Sequence, residues 1–254
     1  MKKRKIWLWI TGIFLLITAG IIFYYLEYQK SDTAIVTPLS IPELTIITTP
    51  SSAILVPSPS DTTPSPTALP AEINLAVPFL TQAPLNNWSD PPHVETCEEA
   101  SMVMIKYYLD GKKKITPQDG EGELQAMVKY ETEHSMGVDV SLEQMKQIME
   151  GFYGLNGGRI INDPTIAQIK GELADGHSIL WPVAGKLLPN PYYRSAGIYH
   201  MLVVKGYKGD VFITNDNGTN HGENFIYKQS LLMDVLHDWN EQNILNGKKA
   251  ILIY

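Results

Sequence analysis

The sequence predicts an α+β domain, with helices gathered in the first part of its globular region and strands in the second. Three observations carry this. Between residues 96 and 176 apolar side chains recur at helical spacing, broken by capping and stop signals. From residue 178 onward the apolar runs are short, rich in Val and Ile, and punctuated by Gly, Asn and Asp. The only cysteine, Cys97, stands where the first helix should begin, while His200 and Asp216 fall in the strand-rich part.

Ahead of the globular region lie two segments of different composition. Residues 6–26 carry no ionisable acid or base and would span roughly 31 Å as a helix, enough to cross a bilayer core. Lys2, Lys3, Arg4 and Lys5 precede this run, and Trp7, Trp9, Tyr24, Tyr25 and Tyr28 sit near its ends. That pattern predicts a single-pass anchor with a cytoplasmic N-terminus, residues 1–30 forming the tip and the span. The run is longer than a signal-peptide core and no A-x-A site follows it, so an uncleaved anchor is expected. Residues 31–72 are rich in Pro, Ser and Thr and cannot form a core. Extended, such a stretch reaches up to about 120 Å, which suits a stalk holding residues 73–254 outside the cell membrane.

Charge and cysteine usage narrow the function. The chain carries a net charge of −7. Residues 1–30 hold five basic side chains and one acidic one, leaving −11 on the rest, a balance that excludes nucleic acid as a partner. A lone Cys forms no internal disulfide although the expected compartment is oxidising, so it is intermolecular, incidental or catalytic.

In the globular region, residues 77–81 read as an entry strand ending at Gln82, and residues 83–92 as a Pro/Asn/Asp loop. Thr96 and Glu99 have the spacing of a capping box, and Ala100, Val103, Met104, Tyr107 and Tyr108 form one apolar stripe, with Gly111 as the stop. Residues 115–133 and 141–151 read as helices, the second with Ser141 and Gln144 in capping-box spacing. Asp163-Pro164 should cap a further helix carrying Ile166, Ile169 and Leu173 and ending at Gly176, after which His177 interacts with helix carbonyls. Strands are expected at 178–183, 199–207, 211–214 and 250–254, and a last helix at 229–240.

A thiol at a helix start lies where orphan N–H groups and the macrodipole favour thiolate, the nucleophilic form. Glu98 and Glu99 oppose this, so a partner imidazolium should supply most of the activation; the bland alternative is an inert buried thiol. Gln82 is either an ordinary loop residue or, with the Cys97 backbone amide, a donor to a developing oxyanion. His93, four residues before Cys97, more naturally points elsewhere.

Residues 199–214 read as a hairpin. With residues 207–209 as a three-residue loop, Gly206 faces Asp210 and His200 lies directly opposite Asp216, so the carboxylate could hold one ring nitrogen and orient the other. Asn215 is the alternative partner if the register slips by one. No cofactor or metal is expected: residues 215–223 lack the EF-hand spacing, and one Cys with six scattered His shows no zinc spacing.

The segments VPFLTQ, TCEEASMVM, VSLEQMKQIMEGF, SILWPV, HMLVVKGY and VFITND together resemble the papain-like cysteine peptidases related to the double-glycine bacteriocin-processing peptidases, over residues 75–254. The resemblance implies a papain-like fold, with a helical lobe bearing Cys97 packed on an antiparallel β-lobe bearing His200 and Asp216. It also implies Cys97 as nucleophile, His200 as base and later acid, Asp216 as orienter and Gln82 as oxyanion donor. Two departures stand out: the loop from Gln82 to Cys97 is long, and Asn217 follows Asp216 where the family often has Pro. No P-loop follows, so no fused transporter ATPase is expected in this chain. The expectation is a membrane-anchored, extracytoplasmic cysteine peptidase acting on a peptide or protein substrate. The alternatives are a catalytically silent peptide-binding domain on a stalk and a cysteine acyltransferase or transpeptidase.

Overall fold

The structure is a computed structural model that describes residues 69–193 and 197–254. The apolar run at 6–26 and nearly all of the Pro/Ser/Thr stretch lie outside the described residues, and among the described residues no helix is long and apolar enough to cross a membrane.

Among the described residues there are seven strands and five α-helices: β1 (Glu72–Asn74), α1 (Cys97–Leu109), α2 (Pro117–Glu133), α3 (Leu142–Tyr153), β2 (Arg159–Asn162), α4 (Ile166–Ala174), β3 (Ile179–Ala184), β4 (Tyr199–Lys208), β5 (Val211–Asn215), β6 (Phe225–Lys228), α5 (Gln229–Val235) and β7 (Ala250–Ile253). The sheet runs β2-β7-β3-β4-β5-β6 with antiparallel pairing throughout. β1 joins β4 beyond the point where β3 stops. Gly206 permits that junction, since a Cβ there would collide with the Ile73 carbonyl.

Alternation along the strands divides the core in two. Leu180, Met201, Val203 and Leu252 join the cluster formed with α1, α2 and α3. Their neighbours Ile179, Trp181, Leu202, Val204, Ile251 and Ile253 join the cluster formed with α4 and α5. The central strands are therefore covered on both faces, which explains why β3 is buried at every position and tolerates no polar alternation. Helices before the sheet and a hairpin-bearing sheet behind them make the α+β papain-like fold that the residue pattern implies.

Several elements depart from their sequence expectation for identifiable reasons. α1 is buried at every position from Cys97 to Ile105 rather than along one stripe, because α2, α3 and β4 surround it. Its capping box does not form: Thr96 Oγ1 donates to the Gln82 carbonyl at 2.8 Å, and Glu99 is turned into the interior. The capping box at Ser141 and Gln144 does form. α4 is capped by Thr165 with Gln168 rather than by Asp163-Pro164. Residues 77–81 are not a strand; the entry strand is β1, five residues earlier. α5 ends at Val235 because Leu236 bridges to Val183 at the edge of β3. β2 and β6, four residues each, are too short to stand out in the sequence.

The β4–β5 hairpin is tighter than its sequence suggests. Lys208 pairs with Val211, so Gly209 and Asp210 form a two-residue turn with Gly209 at φ +56°, and a bulge follows between Val204 and Gly206. The net displacement places Val203 opposite Asn215, so His200 is not directly opposite Asp216.

Candidate active site

A cleft of about 620 Å³ opens where the start of α1 meets the start of β4. Cys97, Gln82, His200 and Tyr199 line it, with Trp88 and Tyr192 at its walls. The entry segment knots this region together: Gln82 N–H donates to the Asn217 carbonyl at 3.0 Å, while its own carbonyl accepts from Thr96.

His200, the second residue of β4, is held by Asp216 just beyond the end of β5, with Nε2 and Oδ1 3.0 Å apart. Asp216 is fully buried and generously supplied with donors. Gly218 N–H donates to Oδ1 at 3.1 Å; Asn190 Nδ2, Tyr193 OH and Tyr227 OH donate to Oδ2 at 3.0, 2.7 and 2.6 Å. Burial alone would push this carboxyl up, but the hydrogen bond and charge of His200 and the two tyrosine hydroxyls outweigh it and hold it at about 2. An ionised Asp216 can only accept, so Nε2 carries the proton. Nδ1, which has no hydrogen bond among the described residues, is then the basic nitrogen of the neutral ring. Asn215, the alternative partner, is occupied elsewhere: its Nδ2 donates to the Val77 and Pro78 carbonyls at 3.1 and 3.3 Å.

Cys97 is the first residue of α1 and is almost wholly buried at the floor of the cleft. Its thiol donates to Glu98 Oε2 at 2.8 Å, and no hydrogen bond joins it to His200. Burial, then the charge and hydrogen bond of Glu98, push the thiol well above its ordinary value; the Met201 backbone N–H pulls weakly the other way. Two full negative charges at that separation would repel by about 6 kcal/mol at an effective dielectric of ~20, which the helix N-terminus, worth ~2 kcal/mol at best, cannot offset. The Cys97 carbonyl accepts from Asn217 Nδ2 at 2.7 Å and from Ser101 Oγ at 2.9 Å, anchoring the first turn to the loop after β5.

Gln82 reaches the cleft, but its side-chain amide donates to the His93 and Val94 carbonyls at 2.9 and 3.0 Å. Both of its N–H groups are thus engaged, and it presents no free donor to the cleft in this arrangement. His93 is buried and lies against Glu121, with Nε2 3.0 Å from Oε1, so it is directed away from Cys97.

The structure therefore brings His200 to Asp216 and both to the cleft that Cys97 floors. It also adds residues the sequence did not single out: Asn190, Tyr193 and Tyr227 around Asp216. Nothing in their local sequence marks them, because they come from a loop and an edge strand that converge only on folding. The Asn217 noted as a departure turns out to be a clamp on α1.

The model of the family described as "Peptidase_C39 like family" matches residues 74–243. Among solved structures, a candidate C39-like peptidase from Bacillus anthracis matches with a TM-score of 0.46 and 14% identity, covering 72% of this chain and 97% of that one. No curated protein matches the chain.

Proposed function

The chain belongs to the peptidase C39-like family, and from that membership we propose that it is a membrane-anchored, extracytoplasmic cysteine peptidase that hydrolyses peptide bonds through Cys97, His200 and Asp216. Family and fold are those of cysteine peptidases. The single observation that carries the finer reading is the His200–Asp216 pair at 3.0 Å, opening onto the cleft that holds the chain's only cysteine.

In this reading His200 Nδ1 takes the thiol proton as Cys97 attacks the scissile carbonyl, and a thioester forms as the C–N bond breaks. His200, oriented by Asp216, protonates the leaving amine and then takes a proton from the water that hydrolyses the thioester. The Cys97 backbone N–H supports the developing oxyanion, joined by Gln82 once one of its N–H groups turns from the Val94 carbonyl. The substrate is a peptide or protein segment extended along the cleft. The apolar N-terminal run anchors the chain, and the Pro/Ser/Thr stretch carries the catalytic region away from the bilayer.

One observation favours a second reading, capture of a peptide without cleavage: the thiol is bonded to Glu98 and not to His200. The experiment is labelling of the full-length chain with a thiol-directed activity probe, followed by mass analysis after incubation with a peptide library. Labelling at Cys97 with a trapped acyl-enzyme supports the peptidase. An unlabelled Cys97 and no acyl-enzyme from any peptide supports the silent binder, and an acyl group passed to an added amine in preference to water supports a transferase.

A further inference from the structure

We propose that a second cavity, beside the start of α1, is a binding site for an alkylammonium group, a cationic amine carried on an apolar stem, with Glu99 and Glu131 as its floor. This site stands whether or not Cys97 is a nucleophile. The cavity has a volume of about 380 Å³ and lies between the segment leading into α1, α1 itself and the C-terminal part of α2. Pro92, Val94 and Met136 supply apolar wall, and Glu95 stands at its exposed edge.

Glu99 and Glu131 are only 2% and 4% exposed, and both side chains line the cavity. Their carboxyls hydrogen-bond to each other, which requires a proton between them. Apart from that shared proton, Glu99 Oε2 and Glu131 Oε1 have no hydrogen-bond partner among the described residues. Burial, the largest influence on both, raises Glu131 to about 7 and Glu99 well above the carboxylate range. Glu99 therefore keeps the shared proton, and above pH 7 an ionised Glu131 accepts it. The pair then presents one negative charge to the cavity.

No cation of the fold answers that charge. The groups facing it are Glu98 on the same helix and Glu95 at the edge, and no Lys, Arg or His lines the cavity. Among the described residues no cluster of side chains is arranged to hold a metal ion, so an organic cation is the better match. An ammonium offers three N–H donors to the carboxyl oxygens, while a stem of four or five methylenes covers Val94 and Met136. Val94 and Glu95 also line the cleft of Cys97 and His200, so one short segment borders both spaces. A lysine side chain of a peptide lying in the cleft and a free amine are thus two sources of the same group.

The test is calorimetric titration of the full-length chain in detergent with n-pentylamine and, as its uncharged counterpart, n-pentanol, at pH 6 and pH 8. A hexapeptide with one lysine and its norleucine analogue are titrated into Cys97→Ala, so that turnover contributes no heat. Amine binding should strengthen about 10-fold from pH 6 to pH 8, because an amine titrating near ~10.4 stays charged while Glu131 loses its proton near 7. Glu131→Gln should weaken amine binding at pH 8 by about 10-fold, the scale of one charge-assisted hydrogen bond. Preference for the lysine peptide over the norleucine peptide assigns the group to a peptide side chain. Preference for amine over alcohol with no preference between the peptides assigns it to a free amine. Absence of both preferences in the parent would overturn the proposal without any variant having to fold, and so would amine binding undiminished in Glu131→Gln.

Discussion

His200 Nε2 and Asp216 Oδ1 are 3.0 Å apart although the two residues do not pair across the hairpin. Asp216 lies past the end of β5, where its backbone N–H donates to the Gly222 carbonyl, and it reaches His200 diagonally. Loss of its side chain should therefore act on catalysis through the orientation of the ring. Asp216→Ala should reduce kcat by on the order of 100-fold. Asp216→Asn keeps the shape and an acceptor oxygen and should retain more activity and a native-like Tm. Asn215→Ala should act mainly on stability, because Asn215 holds the Val77 and Pro78 carbonyls. A mild Asp216→Ala beside a catalytically dead but stable Asn215→Ala would make Asn215 the orienting residue.

Asn217 holds the start of α1 from across the cleft, donating to the Cys97 carbonyl at 2.7 Å and to Ser101 Oγ at 2.8 Å from a fully buried position. Asn217→Ala removes both bonds and leaves a small void. Urea unfolding should show a loss of about 1–3 kcal/mol. Since the first turn carries the proposed nucleophile, kcat should fall as well. A variant with unchanged unfolding midpoint and turnover would show that the clamp is dispensable.

Buried carboxyls give the fold a definite pH preference. Burial raises Glu98 to about 8, Glu131 to about 7 and Asp139 to about 6, and raises Glu99 as well. In the unfolded chain these groups titrate near ~4. Between those limits the folded state binds more protons than the unfolded one, so stability falls as pH rises from about 4.5 toward 8, by at most ~1.4 kcal/mol per pH unit per group. Asp216, held at about 2, works in the other direction: its contribution is present above ~4 and is lost as pH falls toward 2. The Tm of the full-length chain should peak in mildly acidic solution. A Tm that rises steadily from pH 5 to pH 8 would contradict this.

The basic tip at Lys2 to Lys5, the apolar run and the Pro/Ser/Thr stretch place the catalytic region outside the cell in the proposed topology. Protease added to intact cells should release a fragment whose N-terminus lies within residues 31–72. If the region is cleaved only after the cells are opened, the orientation is reversed.

Much of this molecule could be read from its residues. Helical spacing located α1, α2 and α3, short Val- and Ile-rich apolar runs located β3, β4, β5 and β7, and the position of Cys97 at a helix start and of His200 on the hairpin was legible without coordinates. These features are local: spacing reports which face of an element is apolar, and a cap or a turn residue reports where it ends. The His200 and Asp216 side chains meet even though the register differs from the expected one, because a two-residue displacement in a strand keeps the same face. What only the tertiary structure decided is what other elements bring to each face. The burial of α1 on all sides, the turn of Thr96 toward Gln82 and the commitment of the Gln82 amide to residues 93 and 94 each depend on segments distant in sequence. So does the gathering of Asn190, Tyr193 and Tyr227 around Asp216. Glu98 shows the difference most sharply: the sequence sets a carboxylate beside the thiol, and only packing, by removing water and fixing Oε1 on Val140, makes that carboxylate the sulfur's hydrogen-bond partner.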